Sequence, residues 1–94
     1  MFEIAIQPAA LKQLRRLRRV DAAAILDALD HYLRQEPDRP NRSRIKRLRG
    51  QQDAAYRLRV GEYRVFYDIG KSVVTVIAVL HKRDTAAFYR EENA

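Results

Sequence analysis

At 94 residues and 47% hydrophobic content the chain can build one packed core, and it is read as a single domain spanning 1–94. The absence of cysteine excludes disulfides, thiolate chemistry and a cysteine zinc site, and two histidines, His31 and His81, are too few for an obvious metal cluster. No apolar run approaches the ~20 residues of a membrane span, and no basic-then-apolar leader opens the chain, so a cytoplasmic protein without a membrane partner is expected. The net charge is +7, and fifteen of the nineteen cationic residues are arginine, whose planar fork suits phosphates and bases. The charge is uneven: residues 1–20 carry +4, 21–38 carry −4, 39–64 carry +7 and 65–94 carry zero. A polyanion is therefore expected against the block 39–64.

Phe2 to Gln7 alternates around Ile4 and Ile6 and reads as a first strand. Pro8 suits a first helical turn, and Leu11, Leu14 and Leu17 carry an amphipathic helix over 8–19. Asp21 is the expected N-cap of a second helix, with Ile25, Ala28, Leu29, Tyr32 and Leu33 as its apolar stripe and Pro37 and Pro40 beyond its end. Residues 38–44 are polar and arginine-rich, hence a loop. From Ile45 the period becomes two. Ile45–Leu48 is a short strand ending at Gly50, and Ala55–Val60 and Tyr63–Ile69 form a hairpin about Gly61-Glu62. Gly70-Lys71 makes the next turn, Ser72–His81 reads as a central strand, and Thr85–Glu92 as a short helix or tail. A strand, two helices, a run of strands and a terminal helix define an α+β domain, mainly antiparallel, with a helical hairpin on one face.

Hairpin register places side chains. A two-residue turn at Gly61-Glu62 sets Val60 opposite Tyr63 on one face and Arg59 opposite Arg64 on the other. Arg57, two residues from Arg59 on the same strand, joins the arginine face at ~7 Å. Tyr56, Leu58, Val65 and Tyr67 fall on the helix side as core, and Tyr32 also reads as core. If Ile69 lies opposite Ser72, Arg64 pairs with about Ile77, and odd positions of the last strand share the arginine face. His81 is then among the arginines, and Arg83 too if the strand continues. Four guanidinium groups on one face repel unless an anion occupies the space or Glu62, Asp68 and Asp84 neutralise them. Tyr89 reads either as an anchor for the tail or as a base-stacking ring, and His81 either as a strand-end residue or as an acid–base group. His31, on an acidic helix, is assigned no chemistry.

Leu48-Arg49-Gly50, the run Tyr56-Arg57-Leu58-Arg59-Val60-Gly61-Glu62-Tyr63-Arg64-Val65-Phe66-Tyr67, and His81-Lys82-Arg83 with Tyr89 following resemble the RelE/ParE toxin superfamily over nearly the whole chain. The resemblance implies a type II toxin–antitoxin toxin held by a cognate antitoxin in a hetero-oligomer. On the RelE branch it implies a ribosome-dependent endoribonuclease that cuts mRNA by 2′-hydroxyl attack, with no metal or other cofactor. The branch's working positions match Arg57, Arg59, Arg64, Arg83 and Tyr89. On that basis Arg59 and Arg64 clamp the phosphate, Arg57 supports the 2′-oxygen, Arg83 the leaving oxygen, and Tyr89 stacks on or orients a base. The best-known RelE pattern has Lys-x-Lys where this chain has Arg57-x-Arg59. Arginine does not shed its proton, so an electrostatic role replaces that of a general base. The ParE branch, which poisons DNA gyrase on the same fold, is the alternative, and an RNA- or ribosome-binding module without activity is a third.

Overall fold

The computed structural model describes residues 1–40, 44–49 and 54–86. Strand β1 (Glu3–Ile6) leads into α1 (Pro8–Arg15) and α2 (Arg19–Leu33). Strands β2 (Ile45–Arg47), β3 (Tyr56–Val60), β4 (Tyr63–Ile69) and β5 (Val73–His81) follow, and β5 runs into a 3₁₀ turn, Lys82–Asp84. The five strands form one sheet in the order β1-β5-β4-β3-β2. Among the described residues the β1–β5 pairing is parallel and the other three are antiparallel. The α+β class and the element order match the expectation from sequence. The expected terminal helix or tail, Thr85–Glu92, lies almost wholly outside the described residues.

Pro8 occupies the first turn of α1, where its missing N–H costs nothing. The helix ends four residues short of the expected Arg19. A tight turn closes it instead, with Arg16 N donating to Gln13 O at 3.2 Å and Leu17 N to Leu14 O at 3.1 Å. The second helix starts two residues before Asp21, with Arg18 as its N-cap. Asp21 falls in the first turn, where a carboxylate still complements the helix dipole. Ala10 and Leu14 of α1 and Ile25, Ala28, Leu29 and Leu33 of α2 are buried against Leu58, Val65, Tyr67, Val74, Val76 and Val79 of the sheet. Burial raises the Tyr67 phenol pKa well above its ordinary value; its hydroxyl donates to Pro37 O at 2.6 Å and holds the chain leaving α2.

β5 is an interior strand, flanked by β1 and β4, as its doubly apolar sequence leads one to expect. Beyond Ile6 the chain turns away into α1 and leaves the β5 edge open, and Gln13 Oε1 accepts from Val79 N at 2.7 Å to fill the gap. Two details of β5 correct the sequence reading. The preceding turn is longer, since Ile69 pairs with Val74 and not with Ser72. A bulge then breaks the β4–β5 register between Phe66 and Tyr67. Before the bulge Thr75 faces with Asp68, as odd numbering requires; beyond it Arg64 pairs with Leu80, and His81 pairs with Tyr63 on the helix side. The extra residue reverses the facing of everything after it. Val73–Leu80 is apolar at all but one position and carries no alternation that could reveal the slip.

The β3–β4 turn keeps its expected register, Val60↔Tyr63 and Arg59↔Arg64. Gly61 has φ +57°, and no non-glycine residue has positive φ among the described residues. A positive φ at the first central position alone is the pattern of a type II′ turn, which matches strand twist. A Cβ at Gly61 meets nothing within 4 Å, so the penalty for a side chain is conformational only. Gly61→Ala is therefore expected to lose ~1 kcal/mol of stability and Gly61→Asn distinctly less, as measured by urea denaturation.

Candidate functional site

The sheet face away from the helices gathers cations from three strands. Arg59 lies directly across from Arg64, and one pair further along Arg57 lies between Lys46 on β2 and Phe66 on β4. Directly opposed side chains stand ~4.5–5.5 Å apart at Cβ, and like charges there destabilise the pair. Arg59 is exposed, whereas Arg57 and Arg64 are half-buried. Arg64 Nη1 donates to Gly61 O at 3.0 Å and Tyr63 O at 2.9 Å, so its guanidinium folds over the turn. Arg57 Nε is buried with no hydrogen-bond partner among the described residues, an unfavourable state for a cationic group without an anion.

Three acids lie near these cations, each with a partner of its own. Asp68 Oδ1 accepts from Ala55 N at 2.7 Å. Glu62 pairs with Lys82 at 3.1 Å, and the hydrogen bond from Lys82, then its charge, hold the Glu62 carboxyl below its ordinary pKa. Asp84 lies 4.0 Å from Arg83. Among the described residues no group of three or more histidine, aspartate or glutamate side chains gathers as a metal site.

Two features of this face escape the sequence reading. Leu48, Ala54, Phe66 and Ala78 form a second buried apolar cluster, with Ile77 and Leu80 packed against it. It paves the middle of the face, so the cations border an apolar floor. The other is Lys46, beside Arg57. Strict alternation from buried Ile45 signals both Lys46 and, on β4, Phe66 on the arginine side. The remaining cluster members come from β5 beyond its bulge and from the ends of the β2–β3 connection, which hairpin arithmetic does not reach.

Arg83 does not extend β5, which ends at His81. It is carried by the 3₁₀ turn instead, and the turn brings it to the same end of the sheet as Arg64. Lys82 N donates to Glu62 O at 2.8 Å, next to the Gly61 carbonyl that Arg64 uses. His81 is not among the arginines; its ring meets Tyr63 edge-on at 5.5 Å on the helix side. The described residues thus bring together Arg57, Arg59, Arg64 and the Arg83 turn, and exclude His81. Tyr89, and Gly50 of the expected β2 end, lie outside the described residues. Two further arginines lie over rings near β2: Arg44 over Tyr32 at 5.4 Å and Arg47 over Tyr56 at 5.8 Å from the ring centroids.

The chain has the fold of solved toxin structures. It superposes on an archaeal RelE–RelB complex from Pyrococcus horikoshii OT3 with TM-score 0.71 and 25% identity, over 88% of this chain and 97% of that one. A doubly arginine-to-alanine substituted E. coli toxin RelE in the free state gives TM-score 0.68 and 28% identity, over 96% and 92%. The RelBE2 toxin–antitoxin complex of Mycobacterium tuberculosis, at 24% identity and TM-score 0.68 over 85% and 96%, shares the fold. No curated protein matches the chain at a significant level. Residues 4–86 match the family model for the ParE toxin of the type II toxin–antitoxin system parDE. The chain belongs to that family, within the RelE/ParE toxin superfamily.

The opposed arginines make a stability prediction. Arg59→Ala removes one of two like charges across the hairpin and should leave the fold equally stable or stabilise it by up to ~1 kcal/mol in urea denaturation. A clear loss of stability instead would give Arg59 a structural role.

Proposed function

We propose that the chain is a ribosome-dependent endoribonuclease that cuts mRNA, and that a cognate antitoxin neutralises it. The observation that carries this reading is the convergence on one turn: Arg59 opposes Arg64 beside Gly61, and the segment bearing Arg83 is tied to Glu62. Cations set against each other at a cost to stability are suited to an anion whose charge grows during reaction. The 2′-oxygen loses its proton and bonds to phosphorus, the bond to the 5′-oxygen breaks, and that oxygen gains a proton. A cyclic phosphate and a 5′-hydroxyl result, with no net proton change. Arg59 and Arg64 clamp the non-bridging oxygens, Arg57 favours the developing 2′-oxyanion, and Arg83 supports the leaving oxygen. Lys46 adds charge beside Arg57. Tyr89 stacks on a base. The proposed antitoxin is supported by the similarity to toxins in complexes with RelB and by the basic strands, which suit an acidic segment.

The family match to ParE toxins favours a second reading, in which the fold binds DNA gyrase and cuts nothing. Brief induction followed by mapping of mRNA ends separates the two. Cleavage predicts new ends inside coding sequence; intact mRNA with gyrase-dependent DNA breaks supports the second reading.

Within the nuclease reading, Arg64→Ala and Arg83→Ala should each lose on the order of 10²-fold in cleavage rate, the scale of removing an aimed transition-state donor. Arg57→Lys should retain activity, because it keeps the charge in place. Tyr89→Phe should keep far more activity than Tyr89→Ala if the ring stacks; equal losses would assign the role to the hydroxyl. Circular dichroism should show all of these variants folded.

A further inference from the structure

The backbone that carries Arg83 is fastened more thoroughly than an exposed three-residue turn needs for its own sake. Lys82 is held to Glu62 twice, by its main-chain N–H at 2.8 Å and by its ammonium at 3.1 Å. Thr85 is the buried polar side chain of this segment, and its Oγ1 donates to Lys82 O at 2.9 Å to close the far end. At the near end His81 has extended backbone, φ −66° and ψ 146°, and its Nδ1 accepts from Arg83 N at 3.2 Å. The arginine whose amide is thus capped has a 76% exposed side chain, its guanidinium reaching Asp84 only at 4.0 Å. A fixed backbone bearing an outward cation is a presenting device, since ordering the backbone beforehand leaves only the side chain to settle on a ligand.

We propose that His81 is the positioning residue of Arg83: its unprotonated Nδ1 fastens the 3₁₀ turn that presents the Arg83 guanidinium to the scissile phosphate. This rests on the role given to Arg83 above. The imidazole is suited to the task because it is held on both sides. Its ring lies edge-on to Tyr63, whose hydroxyl donates to Asp21 Oδ2 at 3.3 Å on α2, so the orientation of the ring is referred to the main core. With Nδ1 accepting, the neutral ring carries its proton on Nε2. Without an acceptor at this position the Arg83 amide loses its cap and the near end of the turn is released.

Two variants of the full chain separate the cap from the ring. His81→Phe keeps an aromatic edge against Tyr63 and removes the acceptor. His81→Asn gives up the ring and restores a short acceptor of the kind favoured at helix N-termini. Hydrogen exchange at the Arg83 amide, followed by NMR, reads the cap; single-turnover cleavage of ribosome-bound mRNA reads the positioning. H81F is expected to exchange faster at Arg83 and to cleave on the order of tenfold more slowly, the effect of a displaced catalytic cation, and H81N to recover most of both. Cleavage by H81F at the wild-type rate, or by H81N no better than H81F, overturns the proposal while leaving the reading of the site intact. A wild-type protein that cleaves nothing overturns that reading and the positioning role with it.

Discussion

The Gly61-Glu62 turn fixes the rest of the molecule. Because Gly61 takes a positive φ, β3 and β4 are joined by a two-residue link whose twist suits the strands, and Val60 must face Tyr63. Leu58 then meets Val65 beneath the helices, while Arg59 meets Arg64 on the opposite side. A slip of one residue would drive the arginines into the helix-covered core and expose Leu58 and Val65. Core and candidate site are therefore consequences of one register, and neither can be altered without the other.

The two faces of the sheet are used differently. The helix side is closed by apolar packing from α1 and α2. The other side is floored by the small cluster around Phe66, which leaves cations along β2, β3 and the turn. Placing Arg59 against Arg64 and leaving Arg57 Nε buried without a partner among the described residues lowers stability, and the large core tolerates that loss. An anion arriving at this face relieves both penalties at once. The tie from Lys82 to Glu62 adds a further arginine at the same end, so the turn that sets the register also collects the charge.

The parts of this arrangement that were legible in the sequence are those governed by local rules. The turn chemistry of Gly61-Glu62, the alternation of Tyr56–Val60 and the helical spacing of Ile25, Ala28, Leu29 and Leu33 each report their own element, and together they give the α+β class and the shared sheet face of Arg57, Arg59 and Arg64. The β5 bulge was hidden because Val73–Leu80 is almost uniformly apolar, and with it went the facing of His81. The end of α1 and the start of α2 shifted because no side-chain cap sets either boundary and a backbone turn closes α1. Leu48, Ala54, Phe66 and Ala78 come from distant stretches, and only the tertiary fold shows that they meet. Lys46 is within reach of simple alternation, but a single lysine on a three-residue strand carries a weaker signal than the repeated arginines of β3.

The central claim is that cations about one hairpin turn stabilise the transition state for cutting RNA. It is tested most directly by incubating the purified chain with ribosomes holding a defined mRNA codon in the A site and determining the chemistry of the product ends. The account predicts a single cut in that codon, a 5′-hydroxyl on the downstream fragment and a cyclic or 3′ phosphate upstream. Intact mRNA in that reaction, together with inhibition of purified gyrase by the same preparation, would contradict it.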